Sequence, residues 1–143
     1  MPVELSRRCV PYTPVTRKLS EMTIAIVSTA GVHLTDQEPF NKEGDDTWRH
    51  LPGDLDAKNL MITHGAPEEH YDRSQALQDI NVIFPIDRLR ELQAQGFIGG
   101  LSERHWSLMG YSLRLKKYYD ETAPAVAREV ERSPVDAVLL TAG

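Results

Sequence analysis

Residues 23–29 read TIAIVST and run into Ala30-Gly31. This stretch is apolar and rich in β-branched residues, which is typical of a central strand covered on both faces. We predict that it forms the first parallel strand of the fold, and the other elements are predicted around it.

A helix is predicted to begin near Pro85. Ile86, Leu89 and Leu92 recur at a spacing of three residues, so their side chains share one face of a helix. Pro85 suits the first turn of a helix, and Gly96 suits its C-terminal stop. The pattern therefore predicts one amphipathic helix between these two residues.

Further short elements alternate with this helix. Residues 59–64 predict a second strand. Residues 97–101 predict a strand or a tight turn, in which the paired glycines would let another backbone or a ligand come close. A later helix contains Pro124, which either kinks it or marks its restart after Thr122. Strands that alternate with helices indicate an α/β fold, and we predict a Rossmann-like three-layer sandwich with a mainly parallel sheet.

The chain divides into an arm and a domain. Residues 1–20 are rich in proline and basic residues, which predicts an extended N-terminal arm on the domain or on a neighbouring subunit. Residues 21–143 are predicted to form a single α/β domain. Within that domain, residues 35–58 are polar and are predicted to form an ordered surface loop.

The last nine residues, 135–143, read VDAVLLTAG and resemble a buried strand with no helix after it. In open α/β sheets, ligands collect where the chain leaves the carboxyl end of a strand. Thr141 and Gly143 are therefore candidate site residues. We expect the domain to be truncated at its C-terminal end, with the reactive residue directly after Gly143.

Composition excludes several classes of function. The chain has 143 residues, of which 41% are hydrophobic and 26% charged, which suits one compact domain. Its net charge of -5 argues against nonspecific binding to nucleic acid or an anionic membrane. No apolar run approaches a membrane span and no signal peptide is visible, so a cytoplasmic protein is predicted. The single cysteine, Cys9, has no partner for an intrachain disulfide.

Residues 63–72, THGAPEEHYD, place two imidazoles and a carboxylate after a predicted strand. His64, His70 and Asp72 could shuttle protons, or bind a metal together with His33. The spacing matches no compact metal motif, so we predict no metal site. The favoured interpretation is that both histidines hydrogen-bond the backbone of the loop, with proton transfer or substrate binding as the alternative.

Polar residues near the predicted helix are also open to two interpretations. Asp79 and Arg88 could reach a substrate, but caps and surface ion pairs of this kind are common without any function. Residues 105–106 and 109–111 could line a pocket, although aromatic and methionine side chains are more often part of a core. No glycine-rich nucleotide-binding motif is present, so nucleotide binding has no support.

Five segments together resemble the selenoprotein B family, which includes the selenocysteine subunits of glycine, sarcosine, betaine and D-proline reductases. They occur in the same order in this chain: residues 29–33 (TAGVH), His64 with residues 70–72 (HYD), residues 79–89 (DINVIFPIDRL), residues 98–101 (IGGL) and residues 136–143 (DAVLLTAG). The resemblance extends from about Glu21 to Gly143.

The resemblance implies a reductase subunit that cleaves a carbon–nitrogen bond with a selenol–thiol or dithiol couple. In the family, the redox selenocysteine or cysteine follows the strand that matches residues 135–143. Selenocysteine is encoded by UGA, which is often read as stop, so truncation of a longer selenoprotein is expected. The resemblance also implies a small amine or amino-acid substrate and a partner reductase subunit that carries a pyruvoyl group. We expect a homo-oligomer.

The matched motif positions are implied to lie near the reactive centre, with no individual roles assigned. They are His33, His64, His70, Asp72 and Asp79. A different class of function stays open at this point. The chain could instead be a non-catalytic α/β module that binds a small ligand or a partner subunit.

Overall fold

The computed structural model describes residues 13–67 and 69–142, and the predictions for Cys9, Gly143 and most of the N-terminal arm lie outside these residues. Within the described part the chain forms seven strands: β1 (Thr23–Ser28), β2 (Val32–Leu34), β3 (Trp48–Pro52), β4 (Leu60–Ile62), β5 (Gly100–Leu101), β6 (Arg104–Leu108) and β7 (Ala137–Thr141). Its α-helical segments are α1 (Ser74–Gln78), α2 (Ile86–Ala94), α3 (Leu115–Lys117) and α4 (Ala123–Arg132).

Strand β1 lies at the centre of a five-stranded sheet, as the sequence predicts. Ile24 pairs with Leu101 of β5 and with Ala137 of β7, so these strands lie on opposite sides of β1. Farther along, Val27 pairs with β6 on the side of β5. β5 and β6 therefore lie end to end along the same side of β1. β3 lies beyond β6, and β7 forms the opposite edge of the sheet.

The main sheet is mixed, with three parallel pairings and one antiparallel pairing among the described strands. β5, β6 and β7 are parallel to β1, but β3 is antiparallel to β6. β2 and β4 form a separate antiparallel pair, so the strand predicted at residues 59–64 does not join the main sheet. The fold is mixed α/β, and a Rossmann-like three-layer sandwich is not confirmed. β3 was missed because its polar sequence, WRHLP, resembles a loop.

The break between β5 and β6 is filled by a side chain. His105 is fully buried, and its Nδ1 accepts a hydrogen bond of 3.0 Å from the backbone N–H of Ile26. This imidazole satisfies a donor that the interrupted ladder would leave unpaired. Burial and, to a smaller degree, the Arg90 guanidinium lower the pKa of His105 to about 4, so it is neutral near pH 7.

Helix α2 confirms the predicted amphipathic helix. Ile86 and Leu89 are buried, while Pro85 directly precedes the first turn. Gly96 follows the helix with a φ of 71°, a left-handed conformation that glycine adopts without a steric penalty. Around Ile86 and Leu89 a larger core contains Ile24, Ile26, Val32, Leu51, Leu55, Ile83, Phe84 and Ile98.

The α-helical pattern resumes at Ala123, directly after Thr122, which is one of the two predicted outcomes. Residues Tyr118–Thr122 form a π-helical turn between α3 and α4, in which the N–H of Ala123 bonds the carbonyl of Tyr118. Pro124 has no N–H to continue the α-helical pattern, which explains the wider turn. α4 then packs Val126 against Ala25, Trp106 and Leu108 on the other face of the sheet.

Strand β7 confirms a strand near the end of the chain, but its predicted burial is wrong. It pairs only with β1 among the described strands, so one edge is open. Leu139 is 38% exposed and Leu140 is 75% exposed. The apolar sequence predicted burial on both sides, whereas the position of β7 at the edge leaves half of it uncovered.

The described part of the N-terminal arm is exposed up to Glu21, and residues 13–18 contain no helix or strand. Arg17 pairs with the carboxylate of Asp136, which also accepts a hydrogen bond of 2.9 Å from the N–H of Thr23. These contacts tie the arm to the start of β1 and β7. No helix in the described residues is both long enough and apolar enough to cross a membrane.

Candidate functional site

The carboxyl ends of β6, β1 and β7 meet at one edge of the sheet. Ser28 of β1 pairs with Ser107 on one side and with Thr141 on the other. The hydroxyls of Ser28 and Thr141 both donate to the carbonyl of Ile83, at 3.3 and 2.7 Å. Thr141, a predicted site residue, therefore lies at this edge, and its side chain fixes the end of β7.

His64 is brought to the same edge by the chain that follows β1. The N–H of Thr63 bonds the carbonyl of Gly31 at 2.9 Å. Gly31 has a φ of 70°, and a Cβ placed on it would lie 2.0 Å from the carbonyl oxygen of Thr63. Only glycine fits this close approach, which positions His64 beside the end of β1.

The imidazole of His64 is buried, and only one of its two nitrogens is occupied. Its Nδ1 accepts a hydrogen bond of 3.1 Å from the N–H of Ala66, so the neutral ring carries its proton on Nε2. Nε2 is buried and has no hydrogen-bond partner. Burial lowers the pKa of His64 below its usual value, and the positive charge of Arg73 lowers it further.

Tyr71 lies against this imidazole. The two ring centroids are 4.5 Å apart, and the hydroxyl of Tyr71 is also buried without a hydrogen-bond partner. Burial raises the pKa of Tyr71, against a smaller opposite effect of Arg73. His64 and Tyr71 thus present two neutral hydrogen-bond donors side by side.

Tyr111 is the third aromatic residue of this site, beside His64 and Tyr71. Its ring centroid is 6.4 Å from that of His64, and it follows the end of β6. Gly65 packs so closely that a Cβ would lie 2.6 Å from the Tyr111 ring and 2.1 Å from the carbonyl oxygen of Lys42. Sequence reasoning placed residues 109–111 in the core, and their position directly after a strand was the signal for a site.

His33 lies near His64 but has a structural role. Its Nδ1 donates to the carbonyl of Leu34 at 2.8 Å, and its Nε2 accepts from the hydroxyl of Thr63 at 2.9 Å. Both nitrogens are therefore occupied. His33 holds the ends of β2 and β4 together.

The other predicted residues do not join the site. Asp72 and Asp79 are exposed, and each accepts a hydrogen bond from a backbone N–H two residues ahead, at 2.8 and 3.0 Å. The hydrogen bonds from Ser74 and Asn81 lower the pKa of Asp72 and Asp79, respectively. Asp79 therefore caps the short 3₁₀ turn Ile80–Val82, and Asp72 closes a turn directly before α1.

Arg88 and His70 are exposed in part or in full. Arg88 pairs with Glu91 at 2.8 Å, and the side chains of both residues are more than half exposed. His70 is exposed, and its backbone N–H bonds the carbonyl of Pro67. Across the described ranges, no three His, Cys, Asp or Glu side chains are placed to share one metal ion.

A second polar cluster lies on the α4 side of the sheet, away from the strand ends. Glu129 Oε2 accepts hydrogen bonds from His50 Nε2 at 2.5 Å and from the indole N–H of Trp106 at 2.9 Å. Burial raises the pKa of Glu129, but these hydrogen bonds outweigh it and lower the pKa overall. Sequence reasoning missed this cluster because its members are far apart along the chain.

The site has the position at which α/β proteins bind ligands, the carboxyl end of parallel strands. The whole chain, residues 1–143, matches the family model described as glycine/sarcosine/betaine reductase selenoprotein B. The protein belongs to this family, whose members are subunits of reductase complexes, and the resemblance noted from the sequence is confirmed.

Named relatives agree with this assignment. D-proline reductase subunit gamma of Acetoanaerobium sticklandii is 43% identical over 92% of this chain and 53% of its own length. Glycine reductase complex component B subunit gamma of Carboxydothermus hydrogenoformans is 30% identical over 92% of this chain and 30% of its own length. The chain thus spans about half or less of these relatives. No solved structure gives a significant match.

Proposed function

We propose that this chain forms the amino-terminal region of a selenol- or thiol-dependent reductase subunit that cleaves carbon–nitrogen bonds. The observation that carries the proposal is that the buried donors of His64 and Tyr71 lie beside the end of β1, at the edge of the sheet where β6 and β7 also end. The redox residue, selenocysteine or cysteine, would directly follow β7. The relatives' names support a reductase complex as the setting.

The redox couple would supply the electrons. Reductive cleavage breaks a carbon–nitrogen bond, adds one hydrogen to each atom, and takes two electrons and two protons from a selenol–thiol or dithiol pair that closes into a bond between the two heteroatoms. A pyruvoyl group on a partner subunit would hold the substrate amine.

The residues of this chain would position the reaction. Ser28 and Thr141 fix the β7 end against the carbonyl of Ile83, so a residue that follows β7 starts from a defined point. The N–H of Thr29 bonds the carbonyl of Thr141 at 3.0 Å and adds a second anchor. His64, neutral near pH 7, can donate a hydrogen bond but carries no charge that would repel an ammonium group.

D-proline is the first substrate to test, because the D-proline reductase relative shares 43% identity, against 30% for the glycine reductase relative. The full reading frame, expressed with its partner subunits, is expected to convert D-proline to 5-aminopentanoate with dithiothreitol as reductant. Replacement of the redox residue by serine is expected to abolish this product.

The gene itself offers the first check. A UGA or cysteine codon directly after the Gly143 codon, followed by an open frame, would agree with the proposal. A UAA or UAG codon at that position, or equal product formation by the serine variant, would overturn it.

A second candidate function, a subunit-binding module, is favoured by one observation. Beside the open edge of β7 lies an apolar groove of about 420 Å³, lined by Val27, Leu108, Tyr118, Val126, Val138 and Leu140. If the protein is such a module, Leu140→Glu should dissociate the homo-oligomer or the complex in sedimentation experiments. An unchanged assembly would count against this role.

A further inference from the structure

Two hydrogen-bond donors are buried together at the proposed site without acceptors. These are the Nε2–H of His64, a residue that is 6% exposed, and the hydroxyl of Tyr71. A buried donor without a partner is energetically unfavourable, so two such donors on adjacent rings call for an explanation. The centroids of the two rings are only 4.5 Å apart, so both donors belong to one small region in which a single ligand would meet them.

The ligand must be an acceptor. The lone pair of His64 Nδ1 is used by the N–H of Ala66, so the ring has no free nitrogen lone pair for a metal ion or for an ammonium group. Two neighbouring donors match the two oxygens of a carboxylate. The positive charge of Arg73, which acts on both rings, adds electrostatic attraction for an anion.

Access to His64 passes Tyr71. As a residue Tyr71 is only half-buried, although its hydroxyl is covered. Tyr71 lies outside the strands, so the access route that we propose is a rotation of its side chain. The rigid part of the site, Gly31 against Thr63, stays in place.

We infer that His64 and Tyr71 bind the carboxylate of the substrate and so orient it at the end of β1. This assignment rests on the proposed function, because it takes the ligand to be an amino acid. It makes His64 and Tyr71 substrate-binding residues and leaves the electron transfer to the redox couple.

Binding to the full-length protein tests this inference directly. D-proline and cyclopentanecarboxylate, which both carry a carboxylate, should bind in calorimetry and shift the ring nitrogen resonances of His64. Pyrrolidine, which lacks the carboxylate, should not shift them. Tyr71→Phe should weaken binding of the two carboxylates about tenfold, because it removes one hydrogen bond to a charged group.

Matched variants separate binding from folding. His64→Asn keeps an acceptor for the N–H of Ala66 but removes the outer donor, and it should weaken carboxylate binding to a similar degree. Tyr119→Phe, at an 80% exposed tyrosine, should leave binding unchanged. If His64→Asn fails to fold, Tyr71→Phe still decides the question.

The outcomes distinguish the inference from the proposed function. Equal carboxylate affinity in Tyr71→Phe and Tyr119→Phe, or equal shifts with pyrrolidine, would overturn the carboxylate site even if the full-length protein reduces D-proline. If carboxylates shift the ring nitrogen resonances of His64 but the protein reduces no substrate, the carboxylate site is retained and the proposed reductase function is overturned.

Discussion

The two faces of the central sheet are covered to different degrees. On the α2 face, Ile26, Phe84 and Ile86 have no exposed surface, and the core is continuous. On the α4 face, Trp106 is equally buried, but Leu140 beside the groove is 75% exposed. The same kind of apolar sequence therefore forms a closed core on one face and an open surface on the other.

The polar groups of the two faces differ as well. His105, which meets Phe84 edge to face on the α2 side, is kept neutral by burial. Glu129 on the α4 side is half-buried and hydrogen-bonded, and its pKa is lowered. A fully buried group on the closed face is thus kept uncharged, while a half-buried carboxylate on the open face stays charged near solvent.

The largest expected effect compares two leucines. Leu51→Ala, at a residue with no exposed surface in the closed core, should lower the free energy of unfolding by about 3 to 5 kcal/mol. Leu140→Ala removes the same atoms from a 75% exposed position and should cost less than about 0.5 kcal/mol. Urea unfolding of both variants measures the difference. Equal losses would mean that the α4 face is closed in solution.

The pH dependence of stability tests the neutral His105. Its pKa is about 4 in the folded protein and close to 6.5 when unfolded, so the unfolded state binds more protons between these values. Stability is therefore highest above pH 6.5 and falls as the pH drops toward 4, by at most about 3 kcal/mol.

Urea unfolding between pH 7.5 and 4 measures this loss in the wild type and in His105→Asn. The asparagine keeps an acceptor for the N–H of Ile26 but does not titrate, so the variant should lack this part of the pH dependence. Identical pH profiles would show that His105 is protonated or exposed in the folded state.

Two arginines on α2 should differ in importance. Arg90 donates to the carbonyls of Gly53 and Leu55 at 3.0 and 2.5 Å, and Arg90→Ala should cost about 2 kcal/mol because it frees both. Arg88→Ala breaks only an exposed pair with Glu91 and should cost less than about 0.5 kcal/mol. Thermal unfolding of the two variants checks this order, and a reversed order would contradict the placement of α2.

The smallest expected effect concerns the open face. Glu129→Ala leaves the indole N–H of the buried Trp106 without its acceptor and should cost about 1 kcal/mol. Glu129→Gln retains an oxygen for this hydrogen bond and should cost less. Chemical unfolding followed by tryptophan fluorescence compares the two variants. Equal losses would assign the effect to charge alone.

Much of the local structure could be predicted from the sequence. Residues 23–29 predicted the central strand because a β-branched, apolar run is typical of that environment. Pro85 and Gly96 marked the limits of α2, and Pro124 marked the restart of the later helix. These signals are local: each depends on the backbone preferences of a residue and its near neighbours.

The candidate site was predictable only in part. His64 and Thr141 were selected because they stand at the ends of predicted strands, and the structure places both at the carboxyl-end edge of the sheet. Asp72, Asp79 and Arg88 were selected by residue type, which does not distinguish a cap or a surface pair from a ligand-binding group.

The sequence by itself determined the family, the central strand and the amphipathic helix, because motifs and periodicity are written in consecutive residues. Only the tertiary structure decided that β3 joins the sheet antiparallel, that β7 lies at an open edge, and that His64 meets Tyr71. Each of these features depends on which distant segment of the chain packs against the residue. Whether a residue is buried therefore depends on that segment as much as on the residue itself.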